Sequence, residues 1–155
     1  MKKLSYEQAL HRLATYCSRA ERCVFDIRRK MDEWEIPSGQ QNQIIQKLQK
    51  EKFLDEERYC KAFVHDKIQY NRWGIYKIKF ELKRKQIPEP LIAEALKNID
   101  SEENRKQLRS LIELKMKSVK GKNEWEIRQK LMRFAASRGF SIDDIEIILS
   151  TLSFH

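Results

Sequence analysis

The chain has 155 residues, about one ordinary domain, is 41% hydrophobic, and carries 32 Lys and Arg against 23 Asp and Glu, a net +9. That apolar share suffices for a core and excludes a disordered chain, while 4 Gly and 3 Pro are too few for the turns of a sandwich or barrel. No apolar run nears the roughly 18 residues that span a bilayer, and Glu7, Gln8 and His11 break the run a signal peptide needs, so a soluble, unprocessed, cytoplasmic protein is expected.

Apolar residues recur at helical spacing from end to end. Ala9, Leu10, Leu13 and Tyr16 open the series, followed by Val24, Ile27, Met31 and Trp34, then Ile44, Ile45 and Leu48. Tyr59, Ala62 and Phe63 come next, then Ile75, Ile78 and Leu82, then Leu91, Ile92, Ala95 and Leu96. Leu108, Leu111, Ile112 and Leu114 precede Ile127, Leu131, Phe134 and Ala135, and Ile142, Ile145, Ile148, Leu149 and Leu152 close the chain. No alternating run of strand length interrupts them. The spacing predicts an all-α chain of about nine helices.

Punctuation agrees. Ser5, Asp55, Ser101 and Ser141 stand where helices should begin, each offering an oxygen to unpaired first-turn amides. Pro37, Pro88 and Pro90, with Gly39, Gly74, Gly121 and Gly139, fall at the breaks. The segments Ile27-Arg28-Arg29-Lys30-Met31, Ile78-Lys79-Phe80-Glu81-Leu82 and Ile127-Arg128-Gln129-Lys130-Leu131 share one pattern, and their starts lie 51 and 49 positions apart. A period near 50 predicts an elongated, curved array of three tandem three-helix repeats, over 1–50, 51–99 and 100–155, rather than a single globular bundle.

Catalysis is not expected. His11, His65 and His155 show no metal-ligand spacing, and no Gly-rich phosphate loop exists. Glu102-Glu103 and Asp143-Asp144 sit in first helical turns, where favourable interaction with the helix dipole explains them. Cys17, Cys23 and Cys60 are odd in number and lack a Cys-x-x-Cys, so they read as small buried side chains. No cofactor, metal or small-molecule substrate is predicted, and only a cleft gathering Cys60 or His65 with carboxylates would revive an enzyme.

Charge is more informative. Between 72 and 85, Arg72, Lys77, Lys79, Lys83, Arg84 and Lys85 face the single acid Glu81. Lys79 and Lys83 lie beside the apolar stripe, Tyr76 and Phe80 just beyond, Lys77 and Arg84 on the far side. Basic residues interleaved with aromatics suit a phosphate backbone or an acidic protein groove. Arg28, Arg29 and Lys30 in the first repeat, and Arg128, Lys130 and Arg133 in the third, read as equivalent clusters. Together they predict a basic stripe that contacts a polyanion or filament without reading sequence.

Particular motifs add a resemblance. Phe53-Leu54-Asp55-Glu56-Glu57-Arg58-Tyr59-Cys60-Lys61-Ala62-Phe63-Val64 resembles the Tyr-Leu-Asp-Asp-x-Arg-Phe-Ala-x-x-Phe signature of the RecX family of bacterial regulatory proteins. The segment from Asn71-Arg72-Trp73-Gly74 to Gln86-Ile87 is similar to that family's Arg-x-Gly-Pro-x-x-Ile-x-x-Glu-Leu-x-x-Lys-Gly-Ile. Ile27-Arg28-Arg29-Lys30-Met31 resembles its first-repeat motif, and Arg138-Gly139-Phe140-Ser141 its last. Ile75 stands where the family has Pro, Gln86 where it has Gly, and Cys23 where it often has Ser.

The resemblance implies a non-enzymatic modulator of the RecA recombinase in DNA repair and the SOS response. Such a protein lies in the groove of the RecA–DNA filament and inhibits its recombinase and ATPase activities. The contacts are expected from Arg28, Arg29, Arg72, Lys77, Lys79, Lys83, Arg84, Lys85, Arg128, Lys130 and Arg133, with direct DNA contact possible and no membrane partner. The alternatives are a sequence-independent helical nucleic-acid-binding protein without a recombinase partner, and an adaptor for another acidic protein.

Overall fold

A computed structural model describes residues 3–154. Among them are nine α-helices and no strand: α1 (Tyr6–Arg19), α2 (Val24–Glu33), α3 (Ser38–Lys50), α4 (Glu56–Gln69), α5 (Ile75–Arg84), α6 (Glu89–Leu96), α7 (Ser101–Met116), α8 (Glu124–Ser137) and α9 (Ile142–Ser150). The helices pack in successive threes, α1–α3, α4–α6 and α7–α9. Each unit has its own core. Leu13, Ile27, Met31, Ile44 and Leu48 fill the first; Cys60, Ile78, Leu82 and Ile92 the second; Leu108, Ile112, Leu131, Ala135 and Ile145 the third. The chain exposes 10184 Å², against about 8,300 Å² for a compact monomer of this mass. Three small cores in a row leave more surface wet than one large core, which is the geometric cost of a tandem array.

Caps begin most helices where polar residues precede apolar runs. Ser5 and Gln8 form a reciprocal capping box, the Gln8 amide donating to Ser5 Oγ at 3.1 Å and the Ser5 amide to Gln8 Oε1 at 3.0 Å. Asp55 accepts from the Arg58 amide and Ser141 from the Asp144 amide, each at 3.1 Å. At α7 the cap is Asp100, not Ser101: the Glu102 amide donates to Asp100 Oδ1 at 3.0 Å, and Ser101 is the first helical residue. The aspartate offers an equally good acceptor one residue earlier and adds negative charge at the positive helix end.

The second helix of every unit ends alike. After Trp34, Lys85 and Arg138, the residues Glu35, Gln86 and Gly139 take φ of 55°, 59° and 98°. The amides of Ile36, Ile87 and Phe140 then donate back to the carbonyl oxygens of Met31, Leu82 and Ala135. This is a Schellman closure used three times. It sets the true repeat register: Ile27 and Met31 correspond to Ile78 and Leu82, and to Leu131 and Ala135. The repeat spacing read from Ile127 is therefore one turn early. Helix α8 has 14 residues where α2 and α5 have 10 each, and the surplus turn lies at its start.

The units meet at two seams built from the same elements and joined by different chemistry. At the first, Arg58 Nε donates to Glu21 Oε2 at 2.6 Å, the Val24 amide to Glu56 Oε2 at 3.2 Å, and Lys85 Nζ to Asp26 Oδ1. Cys23 and Phe25 from the first unit pack onto the second core. At the second seam the bonds run from backbone to backbone. The Gly74 amide donates to the Arg138 carbonyl oxygen at 2.7 Å, and the Tyr76 amide to the Gly139 carbonyl oxygen at 3.0 Å. Gly74 permits this approach, because a Cβ there would overlap the Gly139 backbone.

Candidate partner-binding face

Helix α5 buries Ile78 and Leu82 and turns the opposite face outward. On that face Tyr76 and Phe80, one turn apart, are 62% and 64% exposed. Phe80 thus belongs to the surface and takes no part in the core. Lys79 and Lys83 flank the two rings on one side, Lys77 and Arg84 on the other, by helical geometry. Lys77 Nζ sits 4.6 Å from the centroid of the Trp73 ring, a cation–π contact that holds the side chain against its own unit. Lys83 pairs with Glu89 at 3.3 Å and Arg84 with Glu81 at 2.8 Å, both at the surface. Lys79 has no ion-pair partner among the described residues.

The other predicted cations fall into distinct settings. Arg28, Arg29 and Lys85 come together around a groove at the first seam. Arg28 Nη2 donates to Asn42 Oδ1 at 3.0 Å, and Lys85 is turned inward to Asp26. Arg72 occupies a left-handed turn residue, φ 53°, between α4 and α5. Arg128 is held inside its own unit by Glu124 at 3.1 Å, by the Leu149 carbonyl oxygen at 3.2 Å, and by the Phe154 ring. Lys130 pairs with Glu126 at 3.4 Å and donates to the Lys120 carbonyl oxygen. Arg133 stays exposed. In the Schellman register, Arg133 corresponds to Arg29 and Phe80, while Arg128 corresponds to Val24 and Ile75, and Lys130 to Asp26 and Lys77. Of Arg128, Lys130 and Arg133, only Arg133 is thus equivalent to a cation of the first-unit cluster.

Sequence spacing missed that another set of cations, Lys30 of the first cluster among them, stacks over half-buried rings. Arg22 lies 3.7 Å and Lys30 5.4 Å from the Tyr16 centroid. Lys67 lies 4.8 Å from the Trp73 centroid, and Lys115 and Arg138 lie 4.9 and 4.8 Å from that of Phe134. Apart from Arg138 and Phe134, four apart at the end of α8, these partners join different helices or loops, so no periodicity announces them. Aromatic residues just off each apolar stripe are the available signal.

The thiols are packed within the cores. Burial pushes Cys23 up to about 12 and Cys60 up to about 11, so little thiolate forms near neutrality. Burial likewise raises Tyr59 above the ordinary tyrosine value. His65 faces solvent with Nδ1 3.3 Å from Asp66, away from the buried Cys60.

Models of two RecX domains match the chain, the second three-helix domain over residues 55–96 and the third over residues 101–149. The chain belongs to the RecX family. It is similar to the regulatory protein RecX of Clostridium perfringens (strain SM101 / Type A), 29% identical over 130 residues covering 83% of this chain and 60% of that protein. Against the RecX protein of Clostridium tetani it is 32% identical over 124 residues, 76% of this chain and 56% of the relative. The Prosthecochloris aestuarii RecX protein is 27% identical over 145 residues, covering 94% of this chain and 93% of its own length. The chain thus spans about 60% of the length of its Clostridium perfringens relative. A crystal structure of a regulatory protein RecX superposes with a TM-score of 0.86 at 25% identity, covering 94% of this chain and 73% of the other. RecX from Lactobacillus salivarius superposes at 0.79 and 19% identity over 94% of both chains, a likeness of fold. The relatives are named as regulatory proteins. No described helix is long and apolar enough to cross a membrane.

Proposed function

We propose that this RecX-family chain binds the RecA recombinase on its DNA filament and inhibits strand exchange and ATP hydrolysis, as a cytoplasmic regulator of recombinational repair and the SOS response. The observation that carries the reading is the outward face of α5, where Tyr76 and Phe80 stand exposed among Lys77, Lys79, Lys83 and Arg84. Packing has no use for two rings more than half in water, whereas aromatic anchors inside a cationic rim suit an acidic or phosphate-bearing partner. Arg28, Arg29, Arg72, Lys85, Arg128, Lys130 and Arg133 extend the field that steers such a partner. No covalent step by this chain is needed: inhibition follows from binding one filament state more tightly than another.

The test is RecA's DNA-dependent ATPase at saturating DNA, titrated with this protein. Saturating DNA prevents simple sequestration of the strand from mimicking regulation. Inhibition that is lost in the K77E/K79E/K83E/R84E variant, with the helical circular dichroism retained, supports the reading. An unchanged ATPase together with tight, salt-sensitive binding to naked nucleic acid favours the alternative without a recombinase partner. Normal inhibition by the charge-reversed variant removes α5 from the interface.

A further inference from the structure

A pocket of about 360 Å³ opens where the first and second units meet. Arg22, Arg29, Lys30 and Lys85 line it, against the two carboxylates Asp26 and Glu33. Asp26 is occupied by Lys85, and Glu33 lies 3.9 Å from Lys30. Two guanidiniums are left over. Arg22 spends one donor, Nε, on the Tyr16 carbonyl oxygen at 3.2 Å, and rests over the Tyr16 ring. Arg29 makes no hydrogen bond or ion pair among the described residues. A guanidinium has five N–H donors in a fixed plane, so most of both forks point at nothing in this chain.

We propose that this pocket binds a dianionic phosphate group. Four cations against two carboxylates give the lining a formal +2, which balances a phosphate monoester at neutral pH, about −1.5 to −2. An internal phosphodiester carries a single charge and balances only half of it. The planar forks of Arg22 and Arg29 match phosphate oxygens in pairs. Stacking on Tyr16 already fixes Arg22, so it loses less freedom on binding than a free side chain would. Arg22 and Lys30 both sit over the Tyr16 ring, which leaves the ring poorly placed to stack a base, so recognition rests on the phosphate group. Arg22, Arg29 and Lys30 come from the first unit and Lys85 from the second. An anion held there ties the two units across the seam where every hydrogen-bonded latch uses at least one side chain. The site acts on the free chain and does not depend on the RecA reading.

The experiment follows inorganic phosphate by phosphorus NMR line broadening, and the melting temperature of the full chain in phosphate against chloride at equal ionic strength. Saturable broadening and a phosphate-specific rise in melting temperature are expected. R29Q, which removes no hydrogen bond or ion pair among the described residues, should weaken binding about tenfold. R22Q/R29Q should abolish it, and K97Q/K106Q, exposed cations elsewhere, should leave it unchanged. A 5′-phosphorylated oligothymidylate competing better than its 5′-hydroxyl form assigns the ligand to a strand end. Competition by neither form, with inorganic phosphate still bound, assigns a free or small-molecule phosphate. Phosphate acting no differently from chloride, R29Q and R22Q/R29Q binding like the parent, or both oligonucleotides competing equally well, overturns the proposal.

Discussion

Lys85 at the end of α5 donates to Asp26 near the start of α2, across the seam between the first two units, with side chains only 19% and 15% exposed. The Phe25 ring lies 5.4 Å from the same ammonium. Removing either partner strands a charge with little water around it. D26N or K85M should each lower stability by about 2 kcal/mol, between an exposed pair and a fully buried one. Urea denaturation checks this. The D26N/K85M double variant should lose less than the two single losses added together, because no unpaired charge remains.

At the second seam the cost is steric. G74A sets a Cβ into the Gly139 backbone, and the two interunit backbone hydrogen bonds must break to relieve it. G139A meets the Lys77 backbone and also holds alanine at φ 98°. Each should cost at least about 2 kcal/mol. G39A, where an added Cβ meets nothing within 4 Å, should instead gain up to about 0.5 kcal/mol. Thermal melts of the three variants make the comparison, and equal effects would show that the close approach does not matter.

Tyr76 and Phe80 are expected to matter for binding and hardly at all for folding. Y76A/F80A should keep its stability within about 0.5 kcal/mol of the parent and lose about tenfold in potency against the RecA ATPase. A large loss of stability would place these rings in the fold and remove them from the partner face.

Much of this organisation is legible in the residues themselves. Ile27 and Met31, or Ile145 and Leu149, mark buried stripes by spacing alone, and Ser5, Asp55 and Ser141 announce helix starts by their chemistry. Asp100 was hidden behind Ser101 because both residues can cap and only backbone conformation decides between them. The surplus turn of α8 was hidden because Ile127 repeats the pattern of Ile78 one turn before the position that structure makes equivalent. On the candidate face, a helical wheel places Tyr76, Lys79 and Lys83 together. It says nothing of Lys85 meeting Asp26, 59 positions away in sequence, or of Arg128 reaching the Leu149 carbonyl oxygen. Those contacts are made by packing between helices and leave no local mark.

Glu56 provides a pH dependence. Its carboxylate accepts the Val24 amide at 3.2 Å, at the uncapped start of α2. Burial raises its pKa above the ordinary glutamate value, and the nearby Asp26 adds to that rise. A raised acid binds protons more tightly folded than unfolded, so its stabilising share is complete below the unfolded value and is lost as pH rises through the folded one. E56Q keeps an acceptor for Val24 and discards the buried charge. It should melt above the parent at pH 7, and the gap should close as pH falls into the glutamate range. Melting curves at several pH values decide it, and a gap that widens on acidification would reverse the sign.

Helix α8's additional turn has a metrical consequence. At a rise of about 1.5 Å per residue, its four extra residues move the start of α8 outward by about 6 Å. Arg128 and Lys130 lie beyond those four residues, at the positions of Val24 and Asp26, so the third unit carries these two cations about one turn nearer the helix start than the first unit carries Arg28 and Lys30. A ligand built of identical subunits at constant pitch would meet these cations of the first and third units one helical turn out of step.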